Sequence, residues 1–230
     1  MIYGHIVCQN AIPDILRAVE SINYCVDKTL IVDGGSTDGT REFLEERKDI
    51  YNLEIFDNKF DTLKNQRQFL LDKTPKNEWV IVLDQDEKFS QIFTYGIREF
   101  IKRIDPKLID NPGRALPLVV PIDHFNLIND LYHYSGRSVM HNMRVFYNDK
   151  DLIWVGHDYH CTLGYKSEKE QRNVIITPYT RGFDILHYAR LNPKRIKWRQ
   201  NNLGKDKFGN YDKNSWKEVS EVNNLPVESY

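Results

Sequence analysis

Apolar positions in the first ninety residues come in short blocks, and two spacings alternate. Ile2 to Cys8, Thr29 to Val32, Tyr51 to Phe56 and Trp79 to Leu83 are compact runs rich in β-branched and aliphatic residues, which predict buried strands. Between them the spacing becomes helical. Ile15, Leu16, Val19 and Ile22 share one face of a helix predicted over Pro13 to Ile22, with Pro13 suited to a first turn. Thr40 to Lys48 places Phe43 and Leu44 inward, and Asp61 to Leu71 reads as a third helix. Helices that separate strands imply parallel pairing and an α/β sheet covered on both faces.

The pattern then changes. Ser90 to Ile104 predicts a helix, and residues 105 to 114, with two prolines and a glycine, a loop. Leu116 to Asp123, Leu131 to Ser135, Arg144 to Tyr147, Leu152 to Val155 and Val174 to Thr177 predict shorter strands, and Pro193 to Leu203 a basic helix. There is no internal repeat and no low-complexity linker. The simplest organisation is one domain over residues 1–204, divided into halves at 1–90 and 91–204, with a polar tail at 205–230.

Composition narrows the class. The 230 residues carry 32 Lys plus Arg against 33 Asp plus Glu, a balance that argues against a nucleic-acid binder. An apolar content of 40% excludes a disordered chain. No apolar run approaches the roughly 20 residues that span a bilayer. The three cysteines, Cys8, Cys25 and Cys161, have no zinc spacing, and MIYGHIVCQN lacks the pattern of a secretion signal. The expectation is a reduced, cytoplasmic protein.

Two loops carry candidate chemistry. In WVIVLDQDEKF, Asp84, Gln85, Asp86 and Glu87 follow a buried strand, where open α/β sheets bind ligands. Carboxylates at i and i+2 there can share an ion, and oxygen ligands suit Mg²⁺ or Mn²⁺ bridging a diphosphate. A plain acidic turn is the alternative. In IVDGGSTDGT, Asp33 ends another strand, and Gly34, Gly35 and Gly39 allow close backbone approach or positive φ. Ser36, Thr37 and Thr40 can cap the next helix, so an ordinary βα turn also explains the segment. Neither a dinucleotide fingerprint nor a P-loop is present.

Together, LIVDGGSTDGT, KNQRQFLL and EWVIVLDQDEKF, in that order, resemble the family 2 glycosyltransferases. With Trp79 and Glu87, the likeness is greatest to the branch that glycosylates lipopolysaccharide cores. The resemblance is specific over residues 1–90 and looser over 140–200. It implies a GT-A fold: a Rossmann-like mixed sheet flanked by helices, in a single domain with a nucleotide-binding half and an acceptor half. The implied activity is transfer of a sugar, a hexose in the simplest case, from a nucleotide-diphospho-sugar to a glycan or lipid-linked acceptor with inversion, as in polysaccharide biosynthesis.

Carried over by position, Asp33 lies at the base or ribose, Lys64 and Arg67 over the base or phosphates, and Asp84 and Asp86 form the metal-and-ribose motif. Gly34 stands where many members have a second acid that contacts uracil, which puts uridine as the donor base in question.

The family's base is an acid in a Trp- and His-containing stretch that follows an arginine. In RVFYNDKDLIWVGHDYHCTL, Arg144 and Trp154 match, and the His-acid pair is His157 with Asp158. If His160 is the aligned histidine, Cys161 takes the acid's place. Asp158 is the expected base. A late histidine in many GT-A enzymes completes the metal site or meets the diphosphate, which implicates His187 beside Asp84 and Asp86; an ordinary strand histidine is the alternative.

Residues 181–217 hold ten Lys/Arg and three Asp/Glu. This run reads as a basic wall over the diphosphate, with Arg190 and Lys194 as contacts, as a peripheral membrane surface, or as a solvated helix face. Tyr132, Tyr134, Tyr147 and Tyr159 offer faces on which an acceptor sugar can stack. A catalytically degenerate module of the same fold that binds a nucleotide or glycan is the rival reading.

Overall fold

The computed structural model describes residues 1–104, 118–128, 131–138, 143–149, 151–166 and 182–190. Four parallel strands and their crossover helices come first: β1 (Ile2–Cys8), α1 (Ile15–Asn23), β2 (Lys28–Asp33), α2 (Thr40–Glu46), β3 (Leu53–Asp57), α3 (Leu63–Lys73) and β4 (Trp79–Asp84). Shorter elements follow: β5 (Glu87–Phe89), α4 (Gln91–Arg103), β6 (Leu118–Val119), β7 (Ile122–Ile128), β8 (Leu131–Ser138), β9 (Met143–Tyr147), β10 (Leu152–Gly156), β11 (Cys161–Tyr165) and β12 (Ile185–Arg190).

The main sheet has the order β3-β2-β1-β4-β9-β6. β9 runs antiparallel to β4, and β6 antiparallel to β9, so the sheet is mixed. The hairpin β10-β11 stands alone, and β5-β12-β7-β8 form a third sheet in which Glu87 lies opposite His187. The chain divides into two compact units. One comprises Met1–His124 and Gly136–His187 and carries the main sheet. The other contains Phe125–Ser135 and the chain from Tyr188 on; within it Phe125 stacks on Tyr188 at 5.3 Å and meets Tyr134 edge-on.

β4 explains the continuous apolar run WVIVL. Successive strand side chains point to opposite faces, and here both faces are covered. Trp79, Ile81 and Leu83 enter a core built with α1 (Ile15, Ala18, Val19, Ile22) and α4 (Phe93, Ile97, Ile101). Val80 and Val82 enter a second core with Leu71 of α3, Phe146, and Trp154 and Leu163 of the hairpin. Burying each such side chain is worth about 1.5–3 kcal/mol, which fixes the strand's register and therefore where Asp84 emerges.

Helix starts are set by local chemistry. The Thr62 hydroxyl accepts from the Asn65 N–H at 3.1 Å to cap α3, and Ser90 accepts from the Phe93 N–H at 3.1 Å to cap α4. The expected hydroxyl cap on α2 is absent. Its N-cap is Gly39 at φ 92°, and the hydroxyls join two loops instead. Ser36 Oγ accepts from the Asn10 N–H at 2.9 Å, and Thr40 Oγ1 accepts from the Ala11 N–H at 2.8 Å.

The apolar run from Leu116 forms two strands rather than one. Pro121 lies between β6 and β7, and a proline cannot donate to a ladder. Helix α1 begins at Ile15, two residues past the expected Pro13. The strand expected at Val174 to Thr177 and the helix at Pro193 to Leu203 lie outside the described residues.

Candidate functional site

The β1-β2 and β1-β4 registers place two acids on either side of β1. Cys8 pairs with Asp33 and Val7 with Asp84, so the carboxyl ends of β2 and β4 flank it. At normal strand spacing they are about 10 Å apart. The order β3-β2-β1-β4 reverses direction between β1 and β4, the point at which open α/β sheets form a ligand crevice.

Asp33 is buried, and its Oδ1 accepts from the Gly35 N–H at 3.1 Å, the Ser36 N–H at 2.9 Å and the Ser36 hydroxyl at 2.7 Å. That carboxylate shapes the loop that follows it. Gly34 is tightly enclosed: a Cβ there would lie 2.7 Å from Phe60 Cβ, so the second acid seen in many relatives has no room. Gln9, which no sequence motif singled out, bridges the two loops. Its side chain donates to the Gly34 carbonyl at 3.1 Å, and its N–H donates to Gln85 Oε1 at 2.8 Å.

At the end of β4, two arginines meet the acids. Arg67 of α3 donates to Asp84 Oδ1 at 2.7 Å, and Arg144 of β9 reaches Asp84 Oδ2 at 3.2 Å and Glu87 Oε1 at 2.7 Å. The other Glu87 oxygen accepts from the Asp84 N–H at 2.8 Å, closing the Asp84–Glu87 turn. Burial works against charge on Asp84, but the Arg144 and Arg67 guanidiniums outweigh it and hold its carboxyl well below the usual range. Burial pushes the Glu87 carboxyl up; Arg144 opposes this and the Asp84 charge adds to it. Arg67 is itself held in place, with its guanidinium carbon 5.2 Å from the Trp154 ring centre and Nη1 3.7 Å from Cys161 Sγ.

Asp86, 5% exposed, takes a different direction. Its Oδ2 lies 3.4 Å from His187 Nε2, brought there by the β5-β12 pairing. The cluster therefore sets three carboxylates against two guanidiniums, with the third carboxylate facing an imidazole. Among the described residues, no three His, Cys, Asp or Glu side chains converge as a ready-made metal cage.

Asp158 lies in the turn between β10 and β11, 49% exposed at its side chain, with Oδ1 3.0 Å from Lys64 Nζ. Its carbonyl accepts from the Lys64 N–H at 2.9 Å. Two residues expected to act separately, Lys64 and Asp158, are thus an ion pair. Arg67, one turn along α3, joins the same hairpin through Cys161 to Asp84. Arg190 ends β12 and Tyr132 lies in β8, but the side chains of both are outside the description; Lys194 and most of the 181–217 run lie outside the described residues.

The sequence undervalued Arg144. It entered only as the arginine before the base, yet it bridges two acids. An Arg within the otherwise apolar strand RVFY was the available signal, since a buried guanidinium requires carboxylate partners. No helix among the described residues is long and apolar enough to cross a membrane.

The family model described as "Glycosyl transferase family 2" matches residues 5–110. None of the curated proteins compared with the chain matches it. Among solved structures, Staphylococcus aureus TarS superposes with a TM-score of 0.55 at 12% identity, over 96% of this chain and 42% of TarS. TarS residues 1–349 give 0.52 at 12% identity, over 95% of this chain and 68% of the fragment. The same fragment in complex with UDP-GlcNAc gives 0.51 at 14% identity, over 83% of this chain and 58% of that one. The acid-ended parallel strands, the mixed sheet and the superpositions agree on a GT-A fold, and residues 5–110 are similar to the family 2 glycosyl transferases.

Proposed function

We propose that the chain transfers a sugar from a nucleotide-diphospho-sugar donor to a hydroxyl of a glycan or lipid-linked acceptor, with inversion. The observation that carries this reading is the acid cluster at the end of β4, beside the topological switch point and held by Arg67 and Arg144. A cluster with more carboxylates than guanidiniums suits a cation that arrives with an anionic substrate. That TarS was solved with UDP-GlcNAc supports a donor of this class.

Asp33 and the Gly34 loop would hold the nucleoside, with the enclosed Gly34 leaving the base to be recognised through backbone groups. Asp84, pinned through both oxygens, is a rigid partner for the ribose rather than a metal ligand. Asp86 and His187 are the donor set that fits Mn²⁺ or Mg²⁺, and the imidazole favours Mn²⁺. When bound, the ion supplies positive charge to the departing diphosphate. Arg190 and Lys194 are the proposed basic contacts to the same group, and the 181–217 run a proposed membrane-facing surface.

In the transfer, the acceptor oxygen attacks the anomeric carbon as its bond to the diphosphate oxygen breaks. Asp158 takes the acceptor proton. Lys64, paired with Asp158, must move off or share it for the carboxylate to accept that proton.

That ion pair is the observation favouring the second reading, a non-catalytic module that binds the donor. A panel of nucleotide sugars, each tested for binding and transfer with and without Mn²⁺, separates the two. Transfer from one donor, lost about 10²–10⁴-fold in Asp158→Asn with donor binding kept, supports the enzyme. Donor binding with no turnover supports the module. Absence of binding to every donor sinks both.

A further inference from the structure

We propose that His124 is a positioning residue for the ion site, fixing the tautomer and orientation of His187 through a hydrogen-bonded chain Ser138–His124–His187–Asp86. This rests on the reading that Asp86 and His187 hold a divalent ion.

Three contacts make the chain. Asp86 Oδ2 faces His187 Nε2 at 3.4 Å. His187 Nδ1 meets His124 Nδ1 at 3.1 Å. His124 Nε2 meets Ser138 Oγ at 3.0 Å. The two rings stand edge to face, 81° apart with centres 5.1 Å apart, so they address each other through nitrogen rather than by stacking. His124 is the third residue of β7, Ser138 the last of β8 and His187 the third of β12, all set by strand register.

Two facing Nδ1 atoms require one to carry a proton and the other a lone pair. With His187 Nε2 protonated toward Asp86, its Nδ1 accepts from His124 Nδ1–H, and His124 Nε2 accepts from the Ser138 hydroxyl. An ion on His187 Nε2 needs that nitrogen's lone pair, so the polarity reverses. His187 Nδ1–H then donates to His124 Nδ1, and His124 Nε2–H donates to Ser138 Oγ. Each imidazole stays neutral: one proton leaves His187 Nε2 and one enters at the serine end. Histidines that ligate metals usually donate their other N–H to a carboxylate, carbonyl or water, which raises ligand basicity. Here a second imidazole, oriented by a serine, fills that position.

The test uses the whole chain and Mn²⁺ alone, titrated by the electron paramagnetic resonance of the free ion, with His187→Gln as the ligand-loss control. His124→Phe is expected to weaken Mn²⁺ roughly 10–100-fold. His124→Asn, whose amide oxygen can accept from His187 Nδ1, is expected to restore most of that loss. Long-range ¹H–¹⁵N spectra of the native chain with Zn²⁺, a diamagnetic substitute, should show His187 protonated at Nδ1 and His124 at Nε2. The spectra need no variant, so misfolding of His124→Phe leaves the proposal testable.

Native-like Mn²⁺ affinity in His124→Phe, or a His124 that keeps its Nδ1 proton with Zn²⁺ bound, overturns the role of His124. If His187→Gln abolishes binding in that same experiment, the ion site itself stands. If the native chain binds no Mn²⁺, the ion site and the positioning role fall together.

Discussion

Arg144→Met isolates the buried charge cluster. The Arg144 side chain is 7% exposed and Glu87 2% exposed, and one nitrogen, Nη2, serves both Glu87 at 2.7 Å and Asp84 at 3.2 Å. Methionine fills similar volume without the charge. Asp84 keeps Arg67, but Glu87 is left with the Asp84 backbone N–H alone among the bonds described above. Removing one partner of a buried pair costs about 3–5 kcal/mol, because the remaining charge stays desolvated. With a urea slope of about 2–3 kcal/mol per M, the midpoint falls by between about 1 and 2.5 M. The sign with pH follows from Glu87, whose carboxyl burial already pushes up and the variant pushes further. A raised folded-state value means that the folded form holds its proton more tightly than the unfolded one. The stability deficit therefore shrinks as pH falls through that raised value and grows as pH rises through it. Glu87→Gln in the Arg144→Met background removes the stranded charge and should recover most of the loss. Urea titrations of the three chains at pH 7 and pH 5 decide it. A loss under about 1 kcal/mol, or no recovery in the double variant, would refute the claim that Arg144 neutralises a buried carboxylate.

Three further outcomes are expected. Gly34→Ala forces a Cβ to 2.7 Å from Phe60 Cβ, so overpacking should cost about 1–3 kcal/mol in urea unfolding; an unchanged midpoint contradicts the enclosed loop. Lys64→Met breaks a half-exposed pair, so stability should change by less than about 1 kcal/mol in urea unfolding; a larger loss contradicts a solvent-screened pair. Burial, aided by the nearby Arg67 charge, lowers the His5 value to about 3, so the unfolded chain takes up a proton that the folded one refuses. This contribution to stability should fall by about 1.4 kcal/mol per pH unit as pH drops below 6.5 toward 3, and His5→Gln should flatten that slope; identical slopes would count against it.

Local pattern carried the scaffold. Five apolar residues from Trp79 to Leu83 read as a doubly covered strand, and the two cores on its faces bear that out. Short elements were less legible. β5 has three residues, too few for a period to register, and β11 (CTLGY) has its partner across the hairpin turn rather than within its own sequence. The hydroxyls after Asp33 read as helix caps because capping is the local use of such residues. The loop that draws them away, residues 9 to 12, is distant in sequence.

The sequence by itself determined that Asp33 and Asp84 would stand at strand ends on a parallel α/β sheet, because strand hydrophobicity and the residue that breaks it are neighbours along the chain. Only the tertiary structure decided which partner each acid takes. Arg67 is 17 positions from Asp84, Arg144 is 57 from Glu87 and His124 is 63 from His187. Such pairs are chosen by sheet order, strand register and the cost of burying a lone charge, none of which is a property of any one segment.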